Sequence, residues 1–341
     1  MQANLPITSG QAQGLVRRDS HGDVADGYGA LTSGAAVVDR SHTSRVEHAG
    51  KDALDLLNRL STNYLMALEP GTALRTALTS DRGRIVAVLT VVRPSPDRLL
   101  LLTDSPAATV MEWIERFTFE EDARLLDLSA ATAQVAVAGP GAAGVIEGLA
   151  GPEAARLSTG GYASATVASY LADVVRTDAP GLPCWEIAVG RAGAADLSRA
   201  AVRAGAVPAG KAAWEAIRIE RGVPASGHEL TEDANPLEAG LKDLVSFTKG
   251  CYVGQEVVAR LDTYEKVQRS LVGLLSEAAL TAGDTLWSEG REAGRVTSSA
   301  FSPGLGRHVG LGYVRRNVAG PGTKLDCASG AVTVSALPIS G

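Results

Sequence analysis

The segment Lys249-Gly250-Cys251-Tyr252-Val253-Gly254 places a cysteine between two glycines, two residues after a lysine. Glycines let the backbone turn tightly and come close to a ligand. Gln255 to Arg260 reads as a short helix, so the thiol precedes a helix N-terminus and stands near an ammonium. Both features lower a thiol's pKa and favour the nucleophilic thiolate. Tyr252 adds a flat stacking surface with a hydroxyl handle. The competing reading is a structural cysteine buried in an ordinary loop, and residue chemistry alone leaves the two level.

Other patterns carry less. Gly139-Pro140-Gly141-Ala142-Ala143-Gly144 fits GxGxxG after the short strand AQVAVA, the arrangement that cradles a pyrophosphate on a helix N-terminus. Pro140 removes a donor amide, and no acidic residue follows at the required distance. A glycine-rich structural turn is the better reading. The histidines show no HExxH pattern, and there is no GxSxG elbow or phosphate loop. Cys184, Cys251 and Cys327 lie far apart and are odd in number, which excludes a CxxC metal site and argues against a disulfide framework.

Composition bounds the function classes. A net charge of −6 without a run of like charges excludes nucleic-acid binding as the main activity. No apolar run approaches the ~20 residues of a membrane helix, so a soluble protein without membrane partners is expected. The first twenty residues lack a signal-peptide pattern, which points to a cytoplasmic location and an unpacked tail over residues 1–24. A length of 341 residues allows two or three domains. Many glycines (38) with only 4% aromatics suggest strands and turns made of small side chains.

The elements that position these residues follow from periodicity. Residues 34–42 read as a strand and 51–64 as a helix. Residues 74–79 and 84–93 form a hairpin across Asp81-Arg82-Gly83. Next come a strand over 99–103 and a helix over 106–117, with Asp104 or Ser105 as its cap. Strands over 134–138, 161–170, 171–176 and 185–189 precede helices over 192–204 and 210–221. From Gln268 onward short strands with glycine turns recur at barrel-like spacing, placing a domain boundary near 261–268.

The octapeptide KGCYVGQE resembles the signature of the YgfZ-type folate-binding proteins, relatives of the glycine-cleavage T-protein, an aminomethyltransferase. Trp214 to Pro224 is similar to the superfamily segment reading roughly LRLEAGxP, and Asn235 to Leu241 to its PxEAGL. Ala35 to Ser41, Ala136 to Pro140 and Val309 to Val314 fall where it has DxS, LxGP and LGYV-like segments. Two departures stand out. T-proteins read like GGIVDDLTV in the hairpin, whereas this chain has Ala87 and Val88 at the acidic pair. They also carry TGExGxE, whose first glutamate clasps the pterin, and Leu182 falls at that position. Glu186, the nearest acid, follows Trp185 in a strand-like run and is read as facing solvent.

The resemblance implies an α+β fold, a T-protein-like three-part ring. Two interleaved N-terminal α+β subdomains would cover residues 25–262, and a small C-terminal β-barrel residues 268–341. Tetrahydrofolate or a one-carbon derivative would sit in the central channel. The implied function is a folate-dependent accessory role in synthesis or repair of iron–sulfur clusters, with client or assembly proteins as partners. Cys251 would be the reactive group, Lys249 its electrostatic support and Tyr252 a wall of the channel. Gln255 would either contact the ligand or fix the loop. Arg218 and Arg260 would hold the folate glutamate tail or serve as ion pairs. A tetrahydrofolate-dependent one-carbon transferase and a non-catalytic folate sensor stay open, and with them the question of catalysis.

Overall fold

The computed structural model describes residues 21–264 and 267–340. Helix α1 (His21–Ser33) starts inside the stretch read as a tail; residues 1–20 lie outside the described part. The chain then enters β1 (Ala36–Asp39), β2 (Ser44–Ala49), α2 (Ala53–Leu60), β3 (Thr72–Thr79), β4 (Ile85–Ser95), β5 (Arg98–Thr103), α3 (Ala107–Glu115) and β6 (Arg124–Asp127). It continues through β7 (Thr132–Ala138), α4 (Ala142–Ala150), α5 (Pro152–Ala155), β8 (Tyr162–Val167), β9 (Tyr170–Thr177), β10 (Cys184–Gly190), α6 (Ala194–Arg203), β11 (Val207–Pro208) and α7 (Lys211–Glu220). A long connection leads to α8 (Gln255–Thr263) and to β12 (Arg269–Ser276), β13 (Thr285–Ser288), β14 (Arg291–Ser302), β15 (Arg307–Arg315), β16 (Lys324–Cys327) and β17 (Gly330–Ser335).

Strands 2 to 6 form a five-stranded sheet in the order β3-β4-β5-β2-β6. They are inserted between β1 and β7, which belong to a second, six-stranded sheet, β11-β1-β7-β10-β9-β8. The two N-terminal units are therefore interleaved. The last six strands close into a barrel, β12-β15-β14-β13-β16-β17. This is the α+β plus small-barrel architecture expected from the sequence.

Strand β4 shows how side-chain alternation divides the space. Ile85, Ala87, Leu89 and Val91 are buried, and the last three pack with Leu56, Leu57 and Leu60 of α2. Because successive side chains point to opposite faces, Val88 and Thr90 belong to the other face. There Val92, Leu100 and Leu102 meet Val175 of the six-stranded sheet. The six-stranded sheet is covered by α4 and α6 on one face and by α1 and α7 on the other. Helix α7 also carries Ile219 into a cluster with Leu311 and Tyr313 of the barrel.

Two details differ from the sequence reading. Helix α3 has Pro106 at its N-cap and no side-chain cap; Asp104 is engaged by Arg40 instead. Strands β2 and β6 lie in segments that gave no strand signal. The GxGxxG stretch is a packing turn: a Cβ on Gly139, at φ +114°, would stand 2.6 Å from the Gly34 carbonyl oxygen at the end of α1.

Candidate functional site

A cavity of about 450 Å³ lies between the two sheets and the connection from α7 to α8. That volume is in the range of small-molecule sites, roughly 300–1,000 Å³. The hairpin sheet contributes Arg75, Val88, Thr90 and Thr103, the six-stranded sheet Gln134, Arg176 and Glu186, and the connection Val223, Ser226 and Asp243. Ser105 Oγ meets Ser226 Oγ at 3.1 Å, joining the hairpin sheet to the connection.

Pairing of β1 with β7 and of β7 with β10 brings distant residues to one wall. Gln134 pairs with Ala188, and Ala136 with Glu186, so Gln134 and Glu186 share a face. Glu186, expected at the solvent side, is 7% exposed and lines the cavity. Its Oε2 accepts a hydrogen bond from Gln134 Nε2 at 2.8 Å. Burial pushes its carboxyl above the usual range, with Arg40 pulling the other way. Arg40 Nη2 donates to Asp104 at 2.6 Å and the guanidinium stacks 4.7 Å from the centre of the Trp214 ring. Arg40 Nε is buried without a partner among the described residues. Arg176 pairs with Asp178 at 2.8 Å and lies over Trp185. Arg75 is exposed where it lines the cavity.

The positions of the two missing acids resolve differently. Val88 lines the cavity, whereas Ala87 is buried against α2. Leu182 is 7% exposed and packs with Cys184 and Trp214 beneath the six-stranded sheet.

The KGCYVGQE loop lies against the turn between β3 and β4. Thr79 Oγ1 donates to the Val253 carbonyl at 2.6 Å. Gly254 sits at φ +84° in the left-handed region, and a Cβ there would stand 2.3 Å from Ser80 O, so only glycine fits. Cys251 is exposed. Lys249 is 9% exposed, and its Nζ donates to the carbonyls of Asn58, Ser61 and Asn63 at 2.5 to 2.8 Å. It thus caps the C-terminal end of α2, where unpaired carbonyls attract cations. Burial pulls its pKa down to about 8. Tyr252 is buried, with its ring centre 5.5 Å from Lys249 Nζ. Its N–H donates to Gln255 Oε1 at 3.3 Å, so Gln255 braces the loop at the start of α8. The loop and the cavity meet at Asn63, which lines the cavity and whose carbonyl holds Lys249.

Neither nominated arginine lines the cavity. Arg218, 3% exposed, donates to Glu215 at 2.7 Å, to Glu229 at 3.0 Å and to Ser298 Oγ at 2.7 Å. It is the hub of the contact between α7 and the barrel. Arg260 stands exposed on α8 and pairs with Glu256 one turn away. The sequence reading missed Arg40, Asp104 and Gln134 as a group. No local motif announces them; only the strand pairing unites them. Among the described residues no group of His, Cys, Asp or Glu could hold a metal ion, and no helix is long and apolar enough to cross a membrane.

Comparison with known proteins agrees with this architecture. Residues 7–249 match the GCVT N-terminal domain, and residues 269–339 the glycine cleavage T-protein C-terminal barrel domain. An aminomethyltransferase of Streptomyces avermitilis is 32% identical over 313 residues, covering 89% of this chain and 84% of that one. A chloroplastic protein of Arabidopsis thaliana, named no more finely than a transferase, is 27% identical over 299 residues, 86% of this chain and 68% of its own. The crystal structure of the glycine cleavage system aminomethyltransferase T from Bartonella henselae superposes with a TM-score of 0.82 over 93% of this chain and 89% of that one, at 23% identity. With both of its parts matched in order, the chain belongs to the glycine cleavage T-protein family.

Proposed function

We propose that this chain binds a reduced folate, tetrahydrofolate or a one-carbon derivative, in the central cavity. We further propose that it acts as a YgfZ-type accessory protein in synthesis or repair of iron–sulfur clusters in client enzymes. The observation that carries the reading is the pairing of an altered cavity with an exposed thiol. Val88 lines the cavity where T-proteins have an acid, and Cys251 of the KGCYVGQE loop is open to solvent. An apolar side chain manages no proton and stabilises no developing charge on the folate nitrogens, help that contributes ~10² to 10⁴-fold.

The cavity's residues suit a folate. Gln134 and Glu186 offer a polar edge for a heterocycle, and Arg75 offers an exposed guanidinium for the carboxylates of a glutamate tail. When bound, a reduced folate would supply a one-carbon carrier. The chain's own residues bind it, enclose it and leave Cys251 as the reactive group.

One observation favours the one-carbon transferase reading instead: Glu186 and Asp104 are carboxyls in the cavity wall. Three experiments separate the readings. Calorimetric titration is expected to give a Kd for tetrahydrofolate in the micromolar range or weaker, about −8 kcal/mol at 1 µM; no heat up to millimolar ligand would defeat folate binding. Ammonia release from the aminomethylated lipoyl carrier at a rate near a true T-protein's would establish the transferase. Loss of iron–sulfur enzyme activity on deleting the gene, restored by the wild type but not by Cys251→Ala, is the outcome expected of the accessory role. Full restoration by Cys251→Ala would favour the sensor.

A further inference from the structure

The five-stranded sheet has two edges, and they are finished differently. Strand β3 is met by the chain leading into β8: the Ala73 N–H donates to Gly160 O at 2.6 Å, and the Tyr162 N–H to Gly71 O at 3.0 Å. Strand β6 ends the sheet on the other side, and among the described residues nothing pairs with its outer edge. The Leu128 N–H donates inward, to Arg45 O at 2.8 Å. By alternation the Leu126 backbone also faces β2, and the N–H and C=O groups of Leu125 and Asp127 point away from it. The edge carries no proline and no bulge to blunt it. Leu125 turns its side chain into the core beneath α2, which leaves Leu126 on the opposite face, 56% exposed. The loop before β6 adds a projecting ring: Phe119 is 84% exposed, the most open large apolar side chain among the described residues. That loop is held in place. Glu121 Oε2 accepts the N–H groups of Phe119 at 2.8 Å and Glu120 at 3.2 Å, and its Oε1 accepts from Arg59 of α2 at 2.8 Å. The Asp122 N–H donates to Asp52 Oδ2 at 2.9 Å, and its carbonyl accepts from the Asp52 N–H at 3.2 Å. Around the ring and the edge, Glu112, Glu115, Glu120, Glu121, Asp122 and Asp127 outnumber Arg116 and Arg124.

We infer that the β6 edge and the Phe119 loop form a docking surface for an extended, lysine- or arginine-rich segment of a partner protein, which adds to the sheet as a further strand. Main-chain pairing with Leu125 and Asp127 holds the segment, and side chains on its two faces set which segment fits. Phe119 is the anchor. An aromatic ring on a loop already held loses little freedom when it is covered, which is the profile of a binding hot spot. The excess of acids favours a basic segment and repels an acidic one. A second copy of this chain fits less well, because it brings the same acids to the same edge. Phe119, Leu125, Leu126 and Asp127 do not line the central cavity, so the inference stands apart from the folate reading.

Fluorescence anisotropy with three labelled octapeptides tests this: alternating Lys–Val, alternating Glu–Val, and the Lys–Val peptide methylated on every backbone nitrogen, which keeps charge and side chains but has no N–H to donate. The wild-type protein is expected to bind the Lys–Val peptide about tenfold more tightly than either of the others. Phe119→Ala, a change at an exposed position whose folding is checked by thermal unfolding, should weaken that binding about tenfold. Hydrogen exchange of the wild type should show the Leu125 and Asp127 amides slowed when the Lys–Val peptide is saturating. No binding of the Lys–Val peptide up to millimolar concentration overturns the inference. Equal binding of the methylated peptide, or unchanged exchange at Leu125 and Asp127, overturns strand addition and leaves attraction between charges alone. Undiminished binding by Phe119→Ala overturns the anchor. A free protein that sediments as a dimer with those two amides already protected assigns the edge to a second copy and overturns the partner.

Discussion

Three thiols in one chain meet three environments, and the difference in exposure orders their reactivity. Cys251 is exposed in a glycine-flanked loop, while Cys327 is half-buried with its Sγ 3.0 Å from Ser329 Oγ. Cys184 is fully buried, and burial pushes its thiol well above the ordinary range. Limited alkylation followed by mass spectrometry should label Cys251 first, Cys327 next and Cys184 last. Labelling of Cys327 before Cys251 would show that exposure does not govern the order. The loop around Cys251 was legible because its residues are contiguous. Lys249 shows the limit of such reading. Its place two residues before the cysteine suggests a charge for the thiol, but three backbone carbonyls already claim its ammonium. Carbonyl acceptors have no sequence signature.

At the scale of elements, Lys249 is a tie between the loop and helix α2. Replacing it by methionine keeps the stem's bulk but leaves the Asn58, Ser61 and Asn63 carbonyls without their donor. Hydrogen bonds to charged groups contribute about 1.5–3 kcal/mol, so Lys249→Met should lower unfolding stability by about that amount, read as a shift of the urea midpoint at unchanged slope. An unchanged midpoint would mean that water satisfies the carbonyls equally well. The hairpin β3–β4 was readable from its β-branched apolar run beside the turn Asp81-Arg82-Gly83, and the barrel strands from short runs set between glycine turns. Strand β2 was not, since its sequence SRVEHA puts polar side chains at buried positions. Arg45 is completely buried, with Nη1 donating to Thr43 O and Nη2 to Ser129 O. A buried residue satisfied by loop carbonyls defeats any hydrophobic pattern.

At the scale of the whole molecule, Glu229 locks the barrel to the N-terminal units. Its side chain is fully buried and accepts from Arg218, from the Ala225 N–H, from Thr297 Oγ1 at 2.6 Å and from Ser298 Oγ at 2.5 Å. Tyr313 OH on β15 donates to its backbone carbonyl. Glu229→Gln removes the charge from a buried pair, and such changes cost about 3–5 kcal/mol. The lower end is expected because Arg218 keeps Glu215. Urea unfolding measures the loss, and a variant as stable as the wild type would show that the junction does not depend on the ion pair. Because Ser226 and Leu230, on either side of this residue, line the cavity, the barrel reaches the cavity wall through it. The cavity was the least legible part of the molecule. Arg40, Gln134 and Glu186 become neighbours only through a sheet whose strands are far apart in the chain.

That interleaving also governs the order in which the protein can be made. Strand β1 pairs with β7 on one side and with β11 on the other, where Ala36 aligns with Val207. A ribosome adds roughly 5–20 residues per second, so β1 waits roughly ten to thirty seconds after its own synthesis before its last partner exists. The inserted sheet needs nothing beyond β6 and can pair first. From the completion of β6 until β11 is made, the nascent chain thus holds a sheet able to pair beside an apolar strand with an open backbone edge, the kind of edge that chaperones cover and that other chains can capture.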